Sequence, residues 1–450
     1  MYLFGIIIFL CLFCSKITKQ HKIYDMIRDF WVENYLSIRD RQCLDFTAKG
    51  PETEYVAEVS KGIFVYKLAV LFGANASGKS NILLALDKLF DILQKPKTEA
   101  NQQIERVYPF VLTKNEPTKM HITFYAASIR YDYDVEFNSQ YILKEVLNYY
   151  PKGSKTLFYE RKFTNAATQA DIKFGASLRL SAKTQESIIE NTLNNHSVLS
   201  VCNKISFKED IKPFKGLCDW ISSHYHDIDC DSRLGIVEAL KNAYSDERRR
   251  KFYNIMLQKA DLNIVNFKPI IEDSNIPTEV RKSILKHDMP EQVRETLLAK
   301  TRDNVLFTNT SESGTFDIPL ELQSKGTQRF IQILDTLYNL ISNSHVYFLD
   351  ELGEDLHYDL LMYYISVFLF NSNKSQLIIT SQETALLSQD LFNDNRGLVW
   401  FVEKDREKAA SEYSRGDSYG LHKNLSLYNS YKIGRLGAKP EFGSIFIDLD

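Results

Sequence analysis

The sequence predicts an α/β fold, with one core sheet interrupted along the chain by an inserted antiparallel β-lobe and then by a helical insertion. Three observations carry this. An apolar run, Ile63 to Phe72 (IFVYKLAVLF), leads through a glycine loop into Ser80 to Leu93, where apolar residues recur at helical spacing. A second apolar run, His345 to Leu349, ends in two carboxylates, Asp350 and Glu351. Between these α/β ends the pattern turns first to period-two alternation and then to helical periodicity.

Composition narrows the class. The 450 residues are 44% hydrophobic and 25% charged, ordinary values for a globular chain, which excludes a disordered, fibrous or multi-span membrane protein. A net charge of −3 gives no support to nucleic-acid binding through bulk charge, and leaves open only a local basic patch. Six cysteines are too sparse for a disulfide scaffold, so a reducing, cytoplasmic location is expected. Met1 to Cys14 is almost wholly apolar yet shorter than the roughly 20 residues that cross a bilayer as a helix. Residues 1–25 therefore read as an extended start, a membrane anchor through residues 1–14, or a signal.

In chain order, Ile27 to Phe46 reads as two strands joined by a turn, and Ile63 to Phe72 as one buried strand. Ser80 to Leu93 is helical. Met120 to Tyr150 alternates as antiparallel strands should. Thr184 to Ala299 is dominated by helical patterns such as LGIVEALKNAY, and Asn304 to Leu320 returns to short strands. Gln328 to Ile341 and Leu356 to Asn371 read as helices, flanking the strand that ends at Asp350. Ser375 to Thr380 and Gly397 to Glu403 are further strands. The expected organisation is a core half over 26–183 carrying the glycine loop and β-lobe, a helical insertion over 184–300, and a second core half over 301–450.

The glycine loop, Gly73-Ala-Asn75-Ala76-Ser77-Gly78-Lys79-Ser80, matches G-x-x-x-x-G-K-[ST] and is followed by Asn81. Glycines let backbone N–H groups wrap around phosphates, and the helix N-terminus behind them favours an anion. Lys79 adds a point charge, and the Ser80 hydroxyl is placed to ligate Mg²⁺. An aspartate at a strand end, Asp350, suits the same metal, and the next residue, Glu351, suits a general base for water. A third segment, Ser324-Lys325-Gly326-Thr327-Gln328-Arg329, sits at a helix start where Ser324 is either a plain cap or part of a second anion site.

Together with Tyr431-Lys-Ile-Gly434-Arg435-Leu-Gly437-Ala438, these motifs resemble the stand-alone ABC-type ATPases of the RecF/SMC and OLD-like group, AAA-domain proteins often found in bacterial defence loci. The resemblance runs from Met26 onward and is weakest over 184–299. It implies a P-loop NTPase core of ABC type that binds ATP and Mg²⁺. Hydrolysis is then expected at a protomer interface of a homodimer or higher homo-oligomer, driving a conformational switch, in anti-phage defence with a separate effector protein as partner. Ser324, Gly326 and Thr327 would contact a partner's nucleotide, Asp355 falls at the D-loop position, and Gln94 or Gln103 at the Q-loop position. Where such proteins carry a histidine after SQLIIT, this chain has Gln382, which donates a hydrogen bond but carries no proton charge. That departure motivates an alternative reading, an ATP-gated sensor or scaffold with little turnover. His357 admits either a packing or a catalytic role.

Smaller features weigh less. His224-Tyr-His226-Asp227-Ile-Asp229-Cys230 gathers metal-capable side chains without a known zinc spacing, and reads as a solvated turn. Arg248-Arg249-Arg250-Lys251 reads as a solvated helix face, with phosphate contact as the rival reading. No Asn-Lys-x-Asp element follows the loop, which disfavours a GTPase.

Overall fold

A computed structural model describes residues 24–166, 170–203, 212–224, 233–260, 262–269, 305–440 and 444–447. The apolar segment before residue 24 lies outside the described residues. Among these residues no helix is long and apolar enough to cross a membrane, and Cys43 and Cys218 are free thiols.

Strands are numbered along the chain. The core sheet has the order β15 (Val346–Leu349), β16 (Gln376–Ser381), β6 (Leu68–Gly73), β17 (Val399–Lys404) and β18 (Ser411–Arg415). The first four run parallel and β18 is antiparallel to β17. Strands of this kind are covered on both faces, which is why β6, β15 and β16 read as apolar runs rather than as alternation. Successive residues of β6 still divide between the faces. Ala69 and Leu71 pack with the helix Lys79–Gln94, while Leu68, Val70 and Phe72 pack with the helices Lys325–Ser342 and Tyr358–Asn371.

The β-lobe is a seven-stranded antiparallel sheet, ordered β11 (Asp171–Phe174), β10 (Thr156–Lys162), β9 (Ile142–Tyr149), β8 (Ile129–Phe137), β7 (Thr118–Ala126), β1 (Ile27–Glu33) and β2 (Gln42–Asp45). The sequence marks β7 to β9 as an insertion. In the fold they complete a sheet begun by the N-terminal strands, with Phe30 opposite Ile122. Two three-stranded sheets complete the architecture: β3 (Thr47–Ala48), β5 (Ile63–Tyr66) and β4 (Val56–Ser60); and β12 (Ile264–Pro269), β13 (Val305–Ser311) and β14 (Gly314–Pro319).

Two expectations are corrected. The run Ile63 to Phe72 is not one strand: it breaks at Lys67, with β5 and β6 in different sheets. Lys67 is fully buried, and its Nζ donates to Leu369 O (2.9 Å), Ser372 O (2.5 Å) and Asn373 Oδ1 (3.3 Å), closing the C-terminal end of the helix Tyr358–Asn371. An apolar count across the run cannot see that one lysine is spent on a helix terminus. The stretch expected as a helical insertion also contains β12, whose Phe267 packs between Tyr253 and Phe307. Within that stretch, Trp220 of the helix Lys212–His224 stacks on Phe124 of the β-lobe, whereas Tyr253 belongs to the opposite core.

Burial pushes the Lys67 ammonium down to about 8. The unfolded chain then holds that proton to higher pH than the native protein, so native stability rises as pH climbs from about 8 towards the free-lysine value near 10. Lys67→Met should remove that rise and leave the helix-end carbonyls without their donor, costing about 1–3 kcal/mol. Urea unfolding of both proteins at several alkaline pH values measures each effect.

Candidate functional site

The parallel register sets the site. Val402 stands opposite Gly73, and Ser381 opposite Phe72, so the loops leaving β6, β16 and β17 emerge at one edge of the sheet. The loop after β6 turns through Ala76 (φ 61°) and Gly78 (φ 107°) and opens the helix Lys79–Gln94. At Gly78 the positive φ and the approach of Ser411 Oγ, 2.1 Å from where a Cβ would lie, leave room only for glycine. A Cβ at Gly73 would similarly meet Val402 O at 2.3 Å.

Lys79 Nζ donates to Gly73 O (2.9 Å) and Ala74 O (3.1 Å), so the loop bends around its own lysine. Burial pushes this ammonium down, while Glu351 and Asp350 oppose the shift. A cavity of about 430 Å³ is lined by Asn75, Ala76, Gly78, Lys79, Ser80, Asn81, Glu351 and Gln382, together with Ser37 and Lys404. Gly73 and Ser77 line an adjoining cavity of about 820 Å³, whose far wall is the C-terminal Gly434–Pro440 segment. Asn81 is also committed to the protein, donating through Nδ2 to Ser37 Oγ at 2.6 Å. The Ser77 hydroxyl is buried with no hydrogen-bond partner among the described residues.

The acidic pair is organised by Thr380. Its hydroxyl donates to Asp350 Oδ1 (2.5 Å) and accepts from Glu351 N (2.8 Å). Glu351 holds a left-handed backbone (φ 48°), a sparsely populated conformation for a residue with a side chain and one that recurs at working sites. Its Oε1 accepts from Gln382 Nε2 at 2.5 Å. The residue that replaces the expected histidine therefore holds the candidate base directly.

Ser324, Gly326 and Thr327 stand elsewhere. Ser324 caps the helix Lys325–Ser342, accepting from Thr327 N at 3.1 Å, and none of the three is among the residues lining the phosphate-loop cavity. A Cβ on Gly326 would lie 2.9 Å from Asp355 O, so this helix start packs on the turn that follows Glu351. Lys325, Gln328, Arg329, Glu354 and Asp355 line a separate cavity of about 520 Å³. Neither Q-loop candidate is among the lining residues of the phosphate-loop cavity. Gln94 ends its helix and donates to Ile221 O at 2.6 Å, and Gln103 is exposed. His357 caps the helix Tyr358–Asn371, with Nδ1 accepting from Asp359 N.

The basic run is partly spent on packing: Arg249 lies over the Tyr338 ring and 3.5 Å from Asp335, and Arg250 lies over Tyr244. The metal-capable run His224 to Cys230 lies, from position 225 onward, outside the described residues.

Sequence reasoning missed the outer brace of the loop. Ser411 Oγ donates to Ser77 O (2.5 Å) and is hydrogen-bonded to Ser37 Oγ (2.6 Å), and Tyr413 OH donates to Gly78 O (2.6 Å). No motif marks these residues; the only signal is a strand that runs on beside the loop. Ser411→Ala should leave the buried Ser77 carbonyl short of a donor and cost about 1–3 kcal/mol, read as a lowered urea midpoint with an unchanged slope.

No curated protein matches the sequence. Among solved structures the chain is similar to an SMC head domain from Thermotoga maritima (12% identity, 86% of this chain and 98% of that one, TM-score 0.38). It is also similar to an SmcHead bound to the C-winged helix domain of ScpA (11% identity, 90% and 99%, TM-score 0.40). These likenesses concern the fold alone. A family model described as "AAA domain, putative AbiEii toxin, Type IV TA system" matches residues 68–388, a span that takes in the phosphate loop, Ser324–Thr327, the acidic pair and Gln382. With more than half of its length under that match, and with the core sheet and loop of an ABC-type P-loop NTPase, the chain belongs to this AAA-domain family.

Proposed function

We propose that the protein binds ATP and hydrolyses it with Mg²⁺ at an interface between protomers. The observation that carries this is that Lys79 and Ser80, from one end of the chain, line the same cavity as Glu351 and Gln382 from the other. Lys79 and the N–H groups of Gly73–Ser80 neutralise phosphate charge. Ser80 and Asp350 would hold Mg²⁺. One hydroxyl and one carboxylate suit an ion usually bound through one or two carboxylates plus substrate phosphates. Bound there, it would supply charge neutralisation at the terminal phosphates.

Glu351 takes the proton from the attacking water, with Gln382 and Thr380 fixing its carboxylate and backbone. Most of the acceleration is positioning and electrostatic stabilisation. The separation of Ser324–Thr327 from the phosphate-loop cavity supports a second copy supplying that segment, so that ATP closes a dimer and hydrolysis opens it. A conformational change of that kind would be passed to a separate effector, in the defence role that the family resemblance implies. A second reading, a nucleotide-gated sensor with little turnover, is favoured by the hydrogen bond that engages Glu351 with an uncharged amide.

Radiolabelled ATP and size measurement separate these readings. Lys79→Ala should abolish nucleotide binding. Glu351→Gln should bind ATP, lose turnover by more than a hundredfold and accumulate as dimer. Tight binding by the native chain, with turnover no faster than that of Glu351→Gln, would favour the sensor. Thr380→Val should lower kcat about 10- to 100-fold while ATP affinity stays within about threefold, because it displaces the acid pair and leaves the loop alone.

A further inference from the structure

β17 runs on past the point where β6 ends. Val402 pairs with Gly73, the last residue of β6, so Glu403 and Lys404 continue alongside the loop itself. The Lys404 backbone is held in register with Ser411, the residue whose hydroxyl braces Ser77 O. The hairpin that fixes the loop thus also fixes the position of this lysine.

Lys404 lines both cavities at the loop, the one with Lys79 and Glu351 and the larger one beside it. The charged residues lining the smaller cavity are Lys79, Lys404 and Glu351. The Lys79 ammonium is turned onto two loop carbonyls. Glu403, next to Lys404, is turned the other way, accepting from Ala438 N at 3.3 Å and filling the space beside Gly437. Lys404 itself has no hydrogen bond or ion pair from its side chain among the described residues, and it is exposed at the cavity rim.

A flexible ammonium beside a glycine loop is chemically suited to phosphate oxygens. Both cavities it borders are also lined by Asn75, Ala76 and Gln382, and the smaller by Glu351, so it shares a cavity with the residues proposed to cut the terminal phosphate. Building on the ATPase reading above, we infer that Lys404 is a second phosphate-binding cation that contacts the γ-phosphate and makes the site favour a triphosphate over a diphosphate.

The test is binding of fluorescent ATP and ADP analogues to the full chain with Mg²⁺, at several salt concentrations, for the native protein, Lys404→Ala, Lys404→Arg and Lys79→Ala. Lys404→Ala should weaken ATP about tenfold and ADP by less than about twofold, with a shallower salt dependence, and Lys404→Arg should recover most of the loss. Urea unfolding of Lys404→Ala should match the native midpoint, since the side chain is exposed and makes no hydrogen bond or ion pair among the described residues. If ATP affinity is unchanged, or if ATP and ADP weaken equally, Lys404 is not a γ-phosphate ligand. If Lys79→Ala also binds nucleotide normally, the ATPase reading fails instead, and the two failures are told apart in one experiment.

Discussion

The parallel pairing of β6 with β16 on one side and β17 on the other is the constraint on which the site depends. Backbone hydrogen bonds hold Gly73, Ser381 and Val402 within one residue of the same level, so three unrelated stretches of chain release their loops at one edge. One brings the phosphate loop, one brings Thr380 and Gln382, and one brings Lys404 and the bracing hairpin. A slip of one residue in either ladder would exchange the residues packed on the two faces, and the distinct apolar packing on each side of β6 opposes it.

β16 does more than fill the sheet. It separates the strand of the phosphate loop from the strand of the acidic pair, and its last residues bridge the gap between them. Thr380 reaches to both Asp350 and Glu351, and Gln382 reaches to the Glu351 carboxylate. The acid pair is thereby held from the neighbouring strand rather than by its own turn, where Glu351 alone would have to bear an unfavourable backbone conformation. Such cross-strand support is what keeps reacting groups within the narrow tolerance that catalysis demands.

The loop is likewise supported from outside. Ser37, from the turn after β1, meets Ser411 and Asn81, so the antiparallel β-lobe sheet and the core sheet are hydrogen-bonded to each other at the phosphate site. Ion pairs deeper in the β-lobe serve a different end. Arg161 and Glu145 are wholly buried 3.5 Å apart, and Arg161 also donates to the carbonyls of Leu193 and His196, tying the β-lobe to the segment that follows it. A buried pair of this kind adds little net stability, because the cost of taking both charges out of water offsets their attraction.

Much of the chemistry was legible in residue order. The glycine loop, the lysine-serine step and the acid pair each declare themselves within eight residues, because phosphate binding by backbone N–H groups demands a local turn followed at once by a helix. The apolar runs of β6, β15 and β16 are equally local, since burial on both faces leaves a continuous hydrophobic signature. Sequence alone could not tell that Lys67 breaks a hydrophobic run to cap a distant helix, that the N-terminal strands belong to the β-lobe, or that Thr380, Ser411, Tyr413 and Lys404 converge on the site. Those contacts join residues from 29 to 335 positions apart, most of them through sheet register. Register is settled by long-range backbone pairing and two-sided packing, which no local pattern encodes.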